Sequence, residues 1–240
     1  MGIIRYYAHQ GNLDELSNRY IAFSKLKYAR IEVPQFKWYD TRDGSISHHA
    51  LALFVGKTGY GKSSTVNAFL GQSFMATDAV NACTTVCQSL DFEVSPHCYF
   101  TLGDLPGLGE SEYQNTAYLK MYRDFLNSAS VVIFTLRADM RDYVVDEFAY
   151  NALFTNESGK SKIIFALNFC DKIEPIDRSC GITPNSKQLE NISTKQDSIQ
   201  QLFKPTNNII PYSAATGWNM NRLAQEIVDV ILQSDQVIIS

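Results

Sequence analysis

Residues 56 to 64 read G-K-T-G-Y-G-K-S-S, which puts three glycines, two lysines and several hydroxyls in one short stretch. Gly56, Gly59 and Gly61 let the backbone turn so that successive N–H groups converge, and such a nest is filled by an anion rich in oxygen. Lys62 carries a cation that reaches the outer oxygens, and Ser63 offers a hydroxyl to a hard divalent ion. Thr58, Tyr60 and Ser64 complete the ligand-contacting set. The chemistry is capture of a nucleoside triphosphate with magnesium, and the positive end of the helix that follows adds to the field.

Further clusters choose the nucleotide. Asp104-Leu105-Pro106-Gly107 follows the apolar run from Cys98 to Leu102. A carboxylate at the end of that run binds magnesium through water, while the Gly107 amide donates to a terminal phosphate and lets go when the phosphate leaves. Asn168-Phe169-Cys170-Asp171 ends another apolar run. The Asp171 carboxylate suits the N1–H and amino group of guanine, a donor pair that adenine lacks, so the wrong base leaves the acceptor unpaired. Asn168 is expected to tie this segment to the phosphate loop. After the last apolar run comes Tyr212-Ser213-Ala214-Ala215-Thr216-Gly217, where backbone N–H groups at Ser213 and Ala214 are available to the guanine O6.

Residues so far apart in sequence meet only if one scaffold gathers their loops. Leu51 to Val55 reads as a buried strand entering the phosphate loop, and Thr65 to Leu70 as the helix leaving it. The runs Cys98 to Leu102, Val131 to Leu136, Ile163 to Leu167 and Ile209 to Tyr212 alternate with helical patterns, the mark of a mostly parallel sheet covered by helices on both faces. Two helical stripes are predicted to face the core, Tyr118, Met121, Tyr122, Phe125 and Leu126, then Val145, Phe148, Ala149, Ala152 and Leu153. Thr183-Pro184 predicts the start of a more polar helix ending near Phe203, with Thr183 as cap and Pro184 in the first turn. The last helix carries Leu223, Ile227, Val228 and Ile231 on one side. Residues 1 to 46 differ in character and predict an extension of helix and loop, packed on a nucleotide-binding domain at 47 to 240. In the extension Asn12 and Glu15 resemble a capping pair, with Leu13, Leu16, Tyr20 and Phe23 turned inward.

With 240 residues, 45% of them hydrophobic and 12% aromatic, the chain has enough apolar material for one large packed domain. A formal charge of −4 gives no bulk pull toward nucleic acid or anionic lipid. No apolar run approaches the roughly 20 residues of a membrane span, and Met1-Gly2-Ile3-Ile4-Arg5 turns polar too soon for a secretory leader, so a cytoplasmic location is expected. Cys83, Cys87, Cys98, Cys170 and Cys180 are odd in number and form no C-x-x-C pair, which predicts free thiols.

Taken in order, G-K-T-G-Y-G-K-S, D-L-P-G, N-F-C-D and S-A-A resemble the GTPase domain of the translation-factor-related class, in its Era-like branch. The stretches D-L-P-G-L-G-E-S, Y-L-K-M-Y-R-D-F-L, V-V-I-F-T-L-R-A-D-M-R and L-N-F-C-D-K-I-E-P are similar to small prophage-type bacterial GTPases. The resemblance spans residues 50 to 232. It implies the three-layer, Ras-like α/β fold of P-loop NTPases, specificity for GTP and GDP, and a magnesium requirement. It further implies slow hydrolysis of GTP to GDP and phosphate by a molecular switch that answers to an effector protein. Lys62, Gly107 and a switch threonine would act on the terminal phosphate, and Ser63, Asp104 and that threonine on the metal. Ala82-Cys83-Thr84-Thr85-Val86 offers two threonines for the role, Thr84 favoured and Thr85 close behind.

Two positions depart from the family pattern. N-K-x-D has lysine where this chain has Phe169, so the usual aliphatic cover over the purine is lost, an aromatic ring stands ready to stack instead, and guanine preference rests mainly on Asp171. Leu108 stands where Ras-like enzymes carry a water-orienting glutamine. Turnover is therefore expected to be slow unless Glu110, Ser111, Arg141 or a partner supplies the missing group. Hydrophobic-substituted GTPases pair across the nucleotide face, which implies a nucleotide-dependent homodimer. Two other readings stay open: a scaffold that binds GTP without significant turnover, and an ATP-using enzyme such as a kinase, against which Asp171 speaks.

Overall fold

The structure is a computed structural model that describes residues 7–31, 36–39, 46–75, 87–108, 116–176, 182–233 and 237–239. Its strands are β1 (Tyr7–Gly11), β2 (Ala29–Ile31), β3 (Phe36–Tyr39), β4 (Ile46–Val55), β5 (Gln88–Ser95), β6 (Cys98–Asp104), β7 (Val131–Arg137), β8 (Ile163–Asn168), β9 (Ile209–Pro211) and β10 (Val237–Ile239). Its helices are α1 (Leu13–Arg19), α2 (Lys62–Leu70), α3 (Thr116–Ser128), α4 (Val144–Leu153), α5 (Glu157–Lys160), α6 (Ser186–Phe203) and α7 (Met220–Gln233). Eight strands form the main sheet in the order β1-β5-β6-β4-β7-β8-β9, with β3 paired antiparallel to β4.

The strand that enters the phosphate loop, β4, is central and runs parallel to both neighbours, β6 and β7. Its side chains alternate between two cores. Ala50, Ala52 and Phe54 join Phe23, Phe69 and Ile227 on one side, while Leu51, Leu53 and Val55 join Phe134, Tyr150 and Phe203 on the other. From Leu51 to Val55, where both faces are covered, β4 is apolar at every position, which is why this stretch stands out in the sequence. Because β4, β6, β7, β8 and β9 all run the same way, their carboxyl ends share one edge. That edge is where open α/β sheets hold ligands. The mostly parallel sheet with helices on both faces is thus as expected, with antiparallel pairings of β5 against β6 and of β3 against β4.

Residues 1 to 46 contribute strands as well as the expected helix. β1 adds a parallel edge strand to β5, and β2 pairs antiparallel with β10 near the other end of the chain. Asn12 caps α1 by accepting from the Asp14 amide at 2.8 Å. Leu13 and Leu16 on α1, with Phe23 in the 3₁₀ turn that follows, are buried.

Two helices differ from the sequence expectation. α6 is capped by Asn185 rather than Thr183: the Asn185 side chain accepts from the Gln188 amide and the Gln188 side chain accepts from the Asn185 amide, both at 2.9 Å. A reciprocal pair of that kind satisfies two otherwise orphaned donors, which a threonine before proline does not do. In α4 the buried face is Asp146, Ala149, Tyr150 and Leu153, and Phe148 is 64% exposed. The face is rotated because a buried carboxylate, invisible to an apolar count, belongs to it. Among the described residues, no helix is long and apolar enough to cross a membrane.

Candidate functional site

The loop after β4 closes on α2 at Gly61, whose φ of +83° is left-handed and whose carbonyl accepts from the Thr65 amide at 2.8 Å. Glycine is required there twice over, since a Cβ would meet Phe169 Cε2 at 3.3 Å and collide with Asn168 Nδ2. Lys62, only 6% exposed, folds back so that Nζ donates to the carbonyls of Gly56 at 3.0 Å and Lys57 at 3.1 Å. Burial holds its pKa below the usual lysine value, opposed by the Asp104 carboxylate. A cation resting on two weak acceptors is poised to exchange them for phosphate oxygens.

Asp104 ends β6 fully buried. Its Oδ2 accepts from Ser63 Oγ at 2.5 Å, and its Oδ1 has no hydrogen-bond partner. Burial raises its pKa, and Lys62 and Ser63 work against that rise. An orphaned buried carboxylate oxygen beside a serine hydroxyl fits magnesium, a hard ion that takes few protein oxygens and completes its shell with water and phosphate. Among the described residues, no group of three or more His, Cys, Asp or Glu side chains suited to a metal occurs. The segment after Asp104 is stitched to the phosphate loop: the Leu105 amide donates to Phe54 O and the Leu108 amide to Gly56 O, both at 3.2 Å. Gly107 lies so close that a Cβ would come within 2.6 Å of the Thr58 Cα and amide nitrogen. Leu108 is buried in the core beside the site, 1% exposed.

The loops after β8 and β9 form the second half. Asn168 Nδ2 donates to Tyr60 O at 3.2 Å, and Asn168 Oδ1 accepts from the amides of Phe169 at 2.8 Å and Ala214 at 3.1 Å. One buried amide side chain thereby joins the phosphate loop to both base-side loops. Asp171 Oδ1 accepts from Ser213 Oγ at 2.7 Å, so the carboxylate is oriented by the loop it sits beside. The Ser213 amide donates to Trp218 O at 3.0 Å, so it and the Ala214 amide are engaged within the protein. Phe169 has a left-handed φ of +62° and packs against Gly61.

Gly56, Thr58, Gly59, Tyr60, Gly61, Lys62, Ser63, Asp104, Gly107, Asn168, Asp171, Ser213 and Ala214 therefore meet at one edge of the sheet, with Ser64 on the first turn of α2. Thr84, Thr85, Glu110 and Ser111 lie outside the described residues. Arg141 is exposed and lines an open cleft with Asp139, Lys172 and Lys195, a cleft whose lining does not include Lys62 or Asp104. Cys98 and Cys170 are free thiols. Three contributors escaped the sequence reading. Arg137, at the end of β7, donates to Gly59 O at 3.3 Å. Asp146 accepts from Tyr60 Oη at 3.1 Å, and Tyr212 Oη shares a 2.8 Å hydrogen bond with Thr65 Oγ1 beneath the loop. A charged residue closing an otherwise apolar strand, as in T-L-R-A-D, was the available signal for Arg137.

Comparison with known proteins gives consistent findings. The family model described as 50S ribosome-binding GTPase matches residues 52–202. Uncharacterized protein YkfA of Escherichia coli (strain K12) is 33% identical over 174 residues, which are 72% of this chain and 59% of that one. GTPase Era of Geotalea daltonii is 23% identical over 185 residues, 77% of this chain and 56% of that one. The chain thus spans well under two thirds of the length of these relatives. Toc33 from Arabidopsis thaliana in complex with Mg2+ and GMPPNP superposes with a TM-score of 0.62 at 18% identity, covering 95% of each chain. A further structure of atToc33 and psToc159, chloroplast translocon components for whose GTPase activity dimerization is described as important, gives 0.60 at 16% identity over 99% of each chain. At such identities the superpositions establish the Ras-like α/β fold.

Proposed function

The chain belongs to the 50S ribosome-binding GTPase family, the membership its Era-like motifs imply, and from that premise we propose that it binds GTP and GDP with magnesium, hydrolyses GTP slowly, and serves as a nucleotide-dependent switch. The observation that carries this reading is the pairing of Ser63 with a buried Asp104 whose second oxygen has no partner, directly beside Lys62. Bound there, magnesium would neutralise charge on the phosphate oxygens. Lys62 leaves the carbonyls of Gly56 and Lys57 for the outer phosphates, loop amides hold the remaining oxygens, and Gly107 senses the terminal phosphate. The engaged amides of Ser213 and Ala214 favour a base held chiefly by the Asp171 carboxylate.

Slow turnover follows from Leu108, which presents no polar group to orient a water. A rate on the order of 10⁻⁴ s⁻¹ is expected without help, as for unassisted small GTPases. The same buried leucine favours the second reading, a scaffold in which bound GTP orders the loops and no turnover matters. A homodimer would bring a missing group across the nucleotide face, a reading supported by the translocon components of like fold for whose GTPase activity dimerization is described as important. The effector is a separate protein. A cytoplasmic setting is supported by the free thiols of Cys98 and Cys170.

Phosphate release from GTP tests these statements together. The native chain is expected to release phosphate only with magnesium, Lys62→Ala to abolish release, and the rate per chain to rise with protein concentration. Binding of GTP with no release at any concentration selects the scaffold. A rate that persists in Lys62→Ala contradicts the proposed chemistry, and one that is independent of concentration contradicts the dimer.

A further inference from the structure

Arg137 comes from a third element and touches both halves of the site. It is the last residue of β7, its guanidinium carbon lies 4.1 Å from the centre of the Phe169 ring, and its Nη1 donates to Gly59 O at 3.3 Å. The fork of the Asp139 carboxylate holds its Nε at 2.9 Å and Nη2 at 2.6 Å. The ring it covers is itself fixed, by a left-handed backbone, by Asn168 accepting the Phe169 amide, and by the close approach of Gly61. Lys172 Nζ lies 4.7 Å from the same ring centre.

A lysine at position 169, as in the family pattern, would bring an aliphatic stem and a cation in one side chain. Phe169 brings only an apolar ring. We propose that Arg137 is a positioning residue that supplies, from β7, the cation lost at position 169, and so couples the phosphate loop to the base-reading segment when a guanosine nucleotide binds. The idea rests on the guanine-nucleotide reading above. Chemistry favours arginine for the task, because a planar guanidinium stacks on a ring and still projects N–H groups sideways to a carbonyl and a carboxylate, which a lysine ammonium cannot do. The two-pronged pair with Asp139, two residues along the same segment, orients the guanidinium but joins no separate elements. The contacts to Gly59 and Phe169 are the ones that cross between elements.

A fluorescent GDP analogue titrated in magnesium against four proteins provides the test: native, Arg137→Ala, Phe169→Lys and the double variant. Arg137→Ala is expected to weaken binding about tenfold in the native background, the combined effect of one cation–π contact and one charged hydrogen bond. In the Phe169→Lys background the same change is expected to cost less than about threefold, because the restored lysine carries the cation and the two changes are not additive. Equal losses in both backgrounds, or none in the native one, overturn the proposal. Should Phe169→Lys fail to fold, Arg137→Met keeps the bulk without the charge. Its expected tenfold loss with an unchanged melting temperature supports the role, and unchanged affinity overturns it. A native chain that binds no guanine nucleotide is a different result and refutes the functional reading itself.

Discussion

At the scale of single residues, the site divides into groups that are spent and groups that are waiting. Asn168 uses its side-chain oxygen and nitrogen inside the protein, and the amides of Ser213 and Ala214 are also engaged. Asp171 is different: Ser213 occupies one face of Oδ1 and leaves acceptor capacity over. A carboxylate that accepts twice from guanine gains two charged hydrogen bonds at about 1.5–3 kcal/mol each, so converting it to an amide costs roughly a hundredfold or more in GTP affinity. Asparagine also brings a donor that pairs with the C2 carbonyl of xanthine, where guanine presents an amino group. Asp171→Asn is accordingly expected to reverse the preference between GTP and XTP in a competition assay. An unchanged preference would assign base reading to another residue. Asp104 is waiting in the same sense, with an oxygen whose burial is uncompensated.

At the scale of elements, α4 is tied to the phosphate loop by a buried pair, Tyr60 Oη donating to Asp146 Oδ2, while Asp146 Oδ1 lacks a partner. Burial pushes the Asp146 carboxyl up to about 6, against the pull of Lys57 and the Tyr60 hydrogen bond. An unfolded aspartate titrates near 3.9, so between about pH 4 and pH 6 the folded chain binds the extra proton, and stability falls as pH rises through that window. The loss is about 3 kcal/mol and is complete above the folded value. Asp146→Asn should remove it: native and variant melting temperatures compared at pH 5 and pH 7.5 are expected to diverge, with the native chain losing more at the higher pH. Parallel curves would rule out this carboxylate as the cause. The pair also explains what sequence could reveal. β4, β7 and β8 were legible because their central stretches, Leu51 to Val55, Val131 to Phe134 and Ile163 to Leu167, are apolar at every position, whereas the face of α4 was misread because a buried aspartate interrupts the stripe and Phe148 sits outside it. The motifs of the site were legible because phosphate chemistry fixes their residue types. Arg137 and Asp146 were not, because their roles come from neighbours 78 and 86 positions away.

At the scale of the whole molecule, the segment before β4 is woven into the fold. A strand as short and polar as Y-A-H-Q-G carries almost no signal of its own, and its pairing with β5 bridges distant sequence, which is why β1 was not foreseen. The consequence lies in α2. Arg19 Nε donates to Phe69 O at 3.1 Å and Tyr20 Oη to Ala68 O at 3.3 Å, so the carboxyl end of the helix that starts at the phosphate loop is held by the N-terminal segment. Phe23 seals the contact, fully buried, with ring centres 5.6 Å from Phe69 and 5.5 Å from Phe100. Phe23→Ala is expected to destabilise the chain by about 3–5 kcal/mol, the range for truncating a buried phenylalanine. In a domain of this size that lowers the melting temperature by roughly 6–20 °C. GDP affinity measured well below the new midpoint should change little, since the ring touches the far end of α2 and no residue of the site. A variant that melts normally would mean that residues 1 to 46 are a loosely attached appendage. One that stays folded but loses GDP would mean that the segment shapes the phosphate loop directly.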